Sequence, residues 1–230
     1  MIRIGGLQRF SLIDFPGCLA AVVFTQGCSL RCGFCHNPEL VIPKLYADCV
    51  PEEQVIAFLD GRRGQLDGVA VTGGEPTDQP DLVPFVRRVR EMGFRTKLDT
   101  NGTRPQVLRE LIQERLIDYV AMDVKAPLDK YPAVTGVPVD TTLIAESIAL
   151  LKRGDVDYEF RTTVVNGQIG PADVAELGRL LEGARRYVLQ PFVAGKHVDV
   201  HFASVRPYTS MALELMARRL REYVQVCDVR

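Results

Sequence analysis

Cys28, Cys32 and Cys35 stand in the spacing C-x3-C-x2-C, inside the run G-C-S-L-R-C-G-F-C-H-N that extends from Gly27 to Asn37. Thiolates this close in sequence converge on one inorganic centre when the loop between them curls. Three cannot all pair as disulfides, and the other cysteines, Cys18, Cys49 and Cys227, are scattered singly. A structural zinc site closes all four coordination positions, and an iron–sulfur centre usually takes four cysteines. Three sulfurs leave one position open, which points to an iron–sulfur cluster with one iron free for a substrate or cofactor. Zinc held by the three cysteines plus His36 or Cys49 is the alternative, and would make the chain a zinc-stabilised binding module.

Other chemistry-bearing residues follow at intervals. Gly73-Gly74-Glu75-Pro76 puts a carboxylate beside backbone that can approach a ligand closely, because glycine carries no Cβ. Asp99-Thr100-Asn101-Gly102 and Asp123-Val124-Lys125 bring charged groups to the ends of consecutive apolar runs. Arg161 lies within an otherwise apolar stretch, F-R-T-T-V-V, where a charge needs a partner or a ligand. A structural salt bridge competes with ligand binding as its explanation. Of the three histidines, His36 adjoins the cysteine loop, His197 follows Gly195-Lys196, and His201 lies beyond.

The elements that must position these residues alternate. The run L-A-A-V-V-F at 19–24 is too short for a helix and reads as a buried parallel strand. Further strands are expected at 68–72, 95–98, 119–122, 157–165 and 187–189. Helices are expected from Pro51, over 80–92, 104–115, 141–152, 171–182 and 208–221, with a possible edge strand at 223–227. Residues 1–17 read as a lead-in broken by Gly5, Gly6 and the turn at 14–17. Strands alternating with helices give parallel β/α units with right-handed crossovers. Each of the six strands delivers a polar or glycine-rich motif at its C-terminal end, the face where β/α barrels assemble active sites. The expected fold is an α/β, TIM-like partial (β/α)6 barrel: one domain over 1–230, with the barrel at 18–192 and a C-terminal segment at 193–230.

Composition narrows the class. The chain has 230 residues and a net charge of −1, which argues against a nucleic-acid surface. No apolar run has the ~20 residues that a membrane span requires, and the first residues lack a signal-peptide pattern, so a cytoplasmic location is expected. The arginine-rich runs R-R-V-R-E and A-R-R-L-R-E have helical spacing and read as solvated helix faces. In a reduced cytosol Cys18, Cys49 and Cys227 read as inert small hydrophobes.

The cysteine motif followed by His-Asn, and then Gly-Gly-Glu-Pro at 73–76, resembles the radical S-adenosylmethionine (radical SAM) superfamily. The segments R-I-G-G-L-Q-R-F-S-L-I-D-F-P-G and F-T-Q-G-C-S-L-R-C-G-F-C-H-N-P-E-L resemble activating proteins of glycyl radical enzymes. The resemblance is closest to anaerobic ribonucleoside-triphosphate reductase activating proteins, and more distant to pyruvate formate-lyase activating enzymes. It implies one 4Fe-4S cluster on Cys28, Cys32 and Cys35, with SAM chelating the open iron. It also implies reductive cleavage of SAM to a 5′-deoxyadenosyl radical, which is passed to a glycine of a partner enzyme through the open side of the barrel. The segment Gly73, Gly74 and Glu75 would hold the SAM amino group, and Arg161 its carboxylate or ribose. Phe34 and His197 are also expected at the cofactor. Asp99, Asn101, Asp123 and Lys125 would surround the cofactor and an associated monovalent cation. Flavodoxin or ferredoxin is the implied electron donor. A radical SAM enzyme acting on a small molecule, such as a deazapurine-forming synthase, is the rival reading.

Overall fold

A computed structural model describes residues 1–230. Eight strands form one sheet in sequence order: β1 (Ile4–Ser11), β2 (Ala20–Thr25), β3 (Gly68–Gly73), β4 (Arg95–Thr100), β5 (Tyr119–Asp123), β6 (Asp157–Val164), β7 (Arg186–Pro191) and β8 (Val226–Val229). β1 runs antiparallel to β2, and every later pairing is parallel. β1 and β8 are the two ends of the strand order, so the barrel is open between them.

The helices are α1 (Pro38–Val41), α2 (Glu52–Asp60), α3 (Leu82–Glu91), α4 (Pro105–Gln113), α5 (Tyr131–Thr135), α6 (Thr141–Lys152), α7 (Val174–Leu180) and α8 (Ser210–Leu220). Their apolar positions fall on one face. In α3 these are Leu82, Val83, Phe85, Val86 and Val89, and in α6 Ile144, Ile148 and Leu151. That 3.6-residue periodicity buries one stripe of each helix against the sheet. The main hydrophobic cluster extends from Ile2 to Cys227. No helix is long and apolar enough to cross a membrane.

The six expected β/α strands are present as β2 to β7, and the sheet extends beyond them at both ends. Residues 1–17 are not a mere lead-in, because β1 covers Gly5 and Gly6. The two glycines are tolerated because the strand is irregular there, with a register shift between Ile4 and Gly6. At Gly5 a Cβ would also run into the end of the Leu40 side chain, which would have to shift. Two short helices, α1 and α5, were not expected. α1 starts on Pro38 immediately after the cysteine loop, where a proline's missing N–H costs nothing. The arginine-rich run on α3 makes ion pairs with neighbouring elements: Arg87 with Glu114, Arg88 with Glu52 and Glu53, and Arg90 with Asp118.

Candidate active site

The C-terminal ends of β2 to β6 enclose one cavity, as strand ends do in β/α barrels. Its wall contains Cys28, Cys32, Phe34 and Cys35 from the loop after β2, and Gly73, Gly74 and Glu75 after β3. Asp99 and Asn101 come from the end of β4, Asp123 and Lys125 from β5, and Arg161 from β6. Thus all but one of the expected site residues share a single wall. The exception is His197, which packs behind His36 with ring centroids 4.5 Å apart and stacks on Phe192 at 5.0 Å. Its Nδ1 donates to the Gly195 carbonyl at 2.9 Å, and its Nε2 is buried with no hydrogen-bond partner. His36, not His197, lines the cavity.

The cysteine loop is held from three sides, largely through backbone. Gly74 N–H donates to the Thr25 carbonyl at 2.9 Å and Glu75 N–H to the Gly27 carbonyl at 2.7 Å. Arg31 N–H donates to the Thr135 carbonyl at 2.8 Å, at the end of α5. From the C-terminal segment, Val198 and Asp199 donate to the carbonyls of Cys35 and Gly33, at 3.0 and 2.9 Å. The glycine pair lines the cavity and also has a packing duty. A Cβ at Gly74 would collide with the Gly27 carbonyl, and one at Gly73 with Thr25. Gly73 also adopts φ +116°, which side chains rarely tolerate. The space that glycine leaves is filled by the root of the cysteine loop.

Glu75 is buried and wrapped by donors. Its Oε1 accepts from Thr77 N–H at 3.0 Å, Thr77 Oγ1 at 2.5 Å and Thr100 Oγ1 at 2.7 Å, while Oε2 accepts from Asn101 N–H at 2.6 Å. Burial pushes its carboxyl up to about 7, against the opposing pull of those hydrogen bonds. The carboxylate thus ties the end of β3 to the end of β4. Thr77 and Thr100 were missed from sequence because a threonine next to an acid has no distinguishing spacing.

Across β4, β5 and β6 a row of alternating charges lies at the cavity floor. Lys97 pairs with Asp99, and Asp99 accepts from Arg161 Nη1 at 3.2 Å. Arg161 Nε donates to Asp123 at 2.8 Å, and Asp123 accepts from Lys125 Nζ at 2.9 Å. The register places Asp123 beside Arg161, and Asp99 beside Ala121. Ala121 faces the same way as Asp123 by the strand's period of two, and its single methyl leaves room for the guanidinium. Burial opposes ionisation of Asp123, yet Arg161 and Lys125 outweigh it and hold its carboxyl well below the usual range. Lys125 and Arg161 are correspondingly held cationic against burial. Arg161 therefore makes the structural ion pairs that competed with ligand binding as its explanation, while still lining the cavity. With Nε and Nη1 on aspartates, Nη2 is its one nitrogen without a carboxylate partner.

The three thiols are free, face one cavity, and form a donor set that suits iron. Burial pushes Cys28 up to about 12 and raises Cys32 as well, so both are protonated in the bare chain and loading must release their protons. Lys125 exerts an opposing pull on both thiols. No three His, Cys, Asp or Glu side chains converge where one metal ion would be held.

The profile of the Radical SAM superfamily matches residues 22–181. A Methanocaldococcus jannaschii protein named as a glycyl-radical enzyme activating enzyme is 32% identical over 232 residues, spanning 99% of this chain and 95% of that one. The pyruvate formate-lyase-activating enzyme of Clostridium pasteurianum is 33% identical over 141 residues, covering 59% of this chain and 58% of that enzyme. Among solved structures, Streptococcus suis SuiB bound to precursor peptide SuiA superposes with a TM-score of 0.67, over 91% of this chain and 48% of that one. At 14% identity the likeness concerns the fold alone.

Proposed function

This chain belongs to the radical SAM superfamily, and we propose that it is an activating protein that installs a glycyl radical on a partner enzyme, most closely an anaerobic ribonucleoside-triphosphate reductase. The observation that carries this reading is the similarity to a protein named as a glycyl-radical enzyme activating enzyme along essentially the whole length of both chains. The barrel's open side between β1 and β8 supports it, since a partner loop needs a way in. The rival reading, a small-molecule enzyme, predicts a substrate pocket closed by 192–230. Here Val198 and Asp199 from that segment bind the cysteine loop instead.

Cys28, Cys32 and Cys35 would hold a 4Fe-4S cluster, and the wall from Gly73 to Arg161 would hold SAM. The bound cluster and SAM together supply a one-electron reductive cleavage that yields a 5′-deoxyadenosyl radical. The chain's own residues bind and orient. Backbone from three segments fixes the cysteine loop, and Glu75 locks the end of β3 to β4. Arg161 offers Nη2 to a carboxylate or hydroxyl, and Phe34 closes the apolar side of the cavity beside the thiols. None of these groups has to move a proton for such a reaction. The electron would come from a separate flavodoxin or ferredoxin. Beyond the three cysteines of the loop the chain has only Cys18, Cys49 and Cys227, too few for the four ligands of a second cluster.

Anaerobic incubation of the reduced, cluster-loaded chain with SAM and candidate glycyl radical enzymes tests the proposal. A doublet glycyl signal in the electron paramagnetic resonance spectrum of an anaerobic reductase is the expected result. SAM cleavage with no signal on any glycyl radical enzyme, but turnover of a small heterocycle, would favour the rival.

A further inference from the structure

Family resemblance implies a monovalent cation beside Asp99, Asn101, Asp123 and Lys125, and the side chains do not fit one. Sodium and potassium are hard cations that need oxygen ligands with lone pairs to give. Each of the four carboxylate oxygens of Asp99 and Asp123 already faces a cationic nitrogen of the chain. Asp99 Oδ1 pairs with Lys97, Asp99 Oδ2 and Asp123 Oδ1 with Arg161, and Asp123 Oδ2 with Lys125. The Asn101 side-chain oxygen accepts from Thr103 N–H at 3.0 Å and from its hydroxyl at 2.7 Å. A further cation would have to displace one of these nitrogens from its carboxylate oxygen.

Of the three cations, Lys125 and Arg161 line the cavity. Lys97 does not, and it is the one that the proposed chemistry leaves without a duty. It lines a second cavity with Asp14, Glu159, Gln190 and Arg230; Arg161 is shared between the two. Barrel interiors are usually filled by branched aliphatic side chains. A lysine whose side chain is 3% exposed is costly there unless paired, and Asp99 is its one ion-pair partner. Lys97 and Asp99 are two residues apart on β4 and so share a face.

We propose that the Lys97 ammonium replaces the monovalent cation: a tethered positive charge that neutralises Asp99 from beneath and holds it against Arg161, making SAM binding independent of sodium and potassium. Lys97 is thus a positioning residue. The inference rests on the reading of this cavity as a SAM site, but its test does not depend on SAM alone. The full cluster-loaded chain is melted at constant ionic strength in tetramethylammonium, sodium or potassium chloride, and its SAM affinity is measured in each salt. The unsubstituted chain should melt within about 1 °C in all three and bind SAM equally well. Lys97→Met should bind SAM about tenfold more weakly in tetramethylammonium. Sodium or potassium, entering the vacated place, should restore the affinity and raise the midpoint by roughly 5 °C. Lys97→Arg should remain indifferent to the salt. Cation-specific melting of the unsubstituted chain overturns the proposal, as does a Lys97→Met variant that folds but ignores sodium and potassium. If no SAM binds in any salt, the functional reading fails, and the melting of the unsubstituted chain still decides the role of Lys97.

Discussion

The cysteine loop and the floor of charged strand ends meet at one cavity but are held by opposite means. Backbone hydrogen bonds from β3, α5 and the segment after Phe192 fix the loop, and carbonyls pack where side chains would otherwise stand. Ion pairs between side chains of β4, β5 and β6 fix the floor. The first arrangement tolerates almost any solvent-facing side chain but no Cβ at the points of contact. The second tolerates small backbone shifts but no loss of charge. Damage to one should therefore leave the other's property intact, and four experiments probe that separation.

The largest effect belongs to the cysteines themselves. Serine in place of Cys28, Cys32 or Cys35 should reduce iron content to near zero, because a hydroxyl is a poor substitute for thiolate on iron. The charged floor should be unaffected, so far-UV circular dichroism should stay that of the parent. Cys49→Ser and Cys227→Ser should keep their iron. Iron retained by any one of the three loop variants would mean that this cysteine is not a ligand.

Next in size is Gly74→Val. The new side chain would meet the Gly27 carbonyl, so we expect a loss of roughly 3–5 kcal/mol of stability together with failure to load the cluster. Denaturant unfolding and iron quantification check both. A variant that loads iron normally and only binds SAM more weakly would show that the pair serves the ligand more than the loop.

Asp123→Asn strikes the floor instead. It leaves Arg161 and Lys125 facing a neutral amide, and SAM affinity should fall about tenfold while the cluster still loads. Equilibrium dialysis against iron content separates the two outcomes. Cluster loss in this variant would erase the distinction between the two regions.

Glu75, which lies between them, shows itself in the pH dependence of stability. Its folded pKa is raised by burial, from 4.5 to about 7. A raised carboxyl favours the folded state when protonated. Its contribution is therefore fully present below pH 4.5 and is lost as pH rises through about 7. The slope should amount to no more than about 3 kcal/mol over that window and should vanish in Glu75→Gln. An unchanged slope in the variant would assign it to another group.

The comparison also shows what a sequence can and cannot display. The loop cysteines, Gly-Gly-Glu and the strand-end acids were readable because local spacing encodes them, and strand ends converge in any β/α barrel. Hydrophobic runs with turn signals likewise placed β2 to β7. β1 was missed because Gly5 and Gly6 read as breakers, although the strand is irregular there and packs closely against Leu40. The supports of the loop were hidden for a different reason. Thr135, Val198 and Asp199 act through backbone groups that every residue possesses, so their side chains announce nothing. Lys97 was overlooked as one more lysine, since only the curvature of the sheet puts it inside. His197 was expected at the cofactor and lies one layer behind, with His36 in front of it.

The central claim is a three-cysteine cluster with one iron left open for SAM. Anaerobic reconstitution followed by iron quantification and Mössbauer spectroscopy, with and without SAM, tests it most directly. The account predicts about four irons per chain in one cubane, with a single iron whose signal changes when SAM is added. About eight irons per chain in cubanes, or a cluster whose irons all ignore SAM, would contradict it.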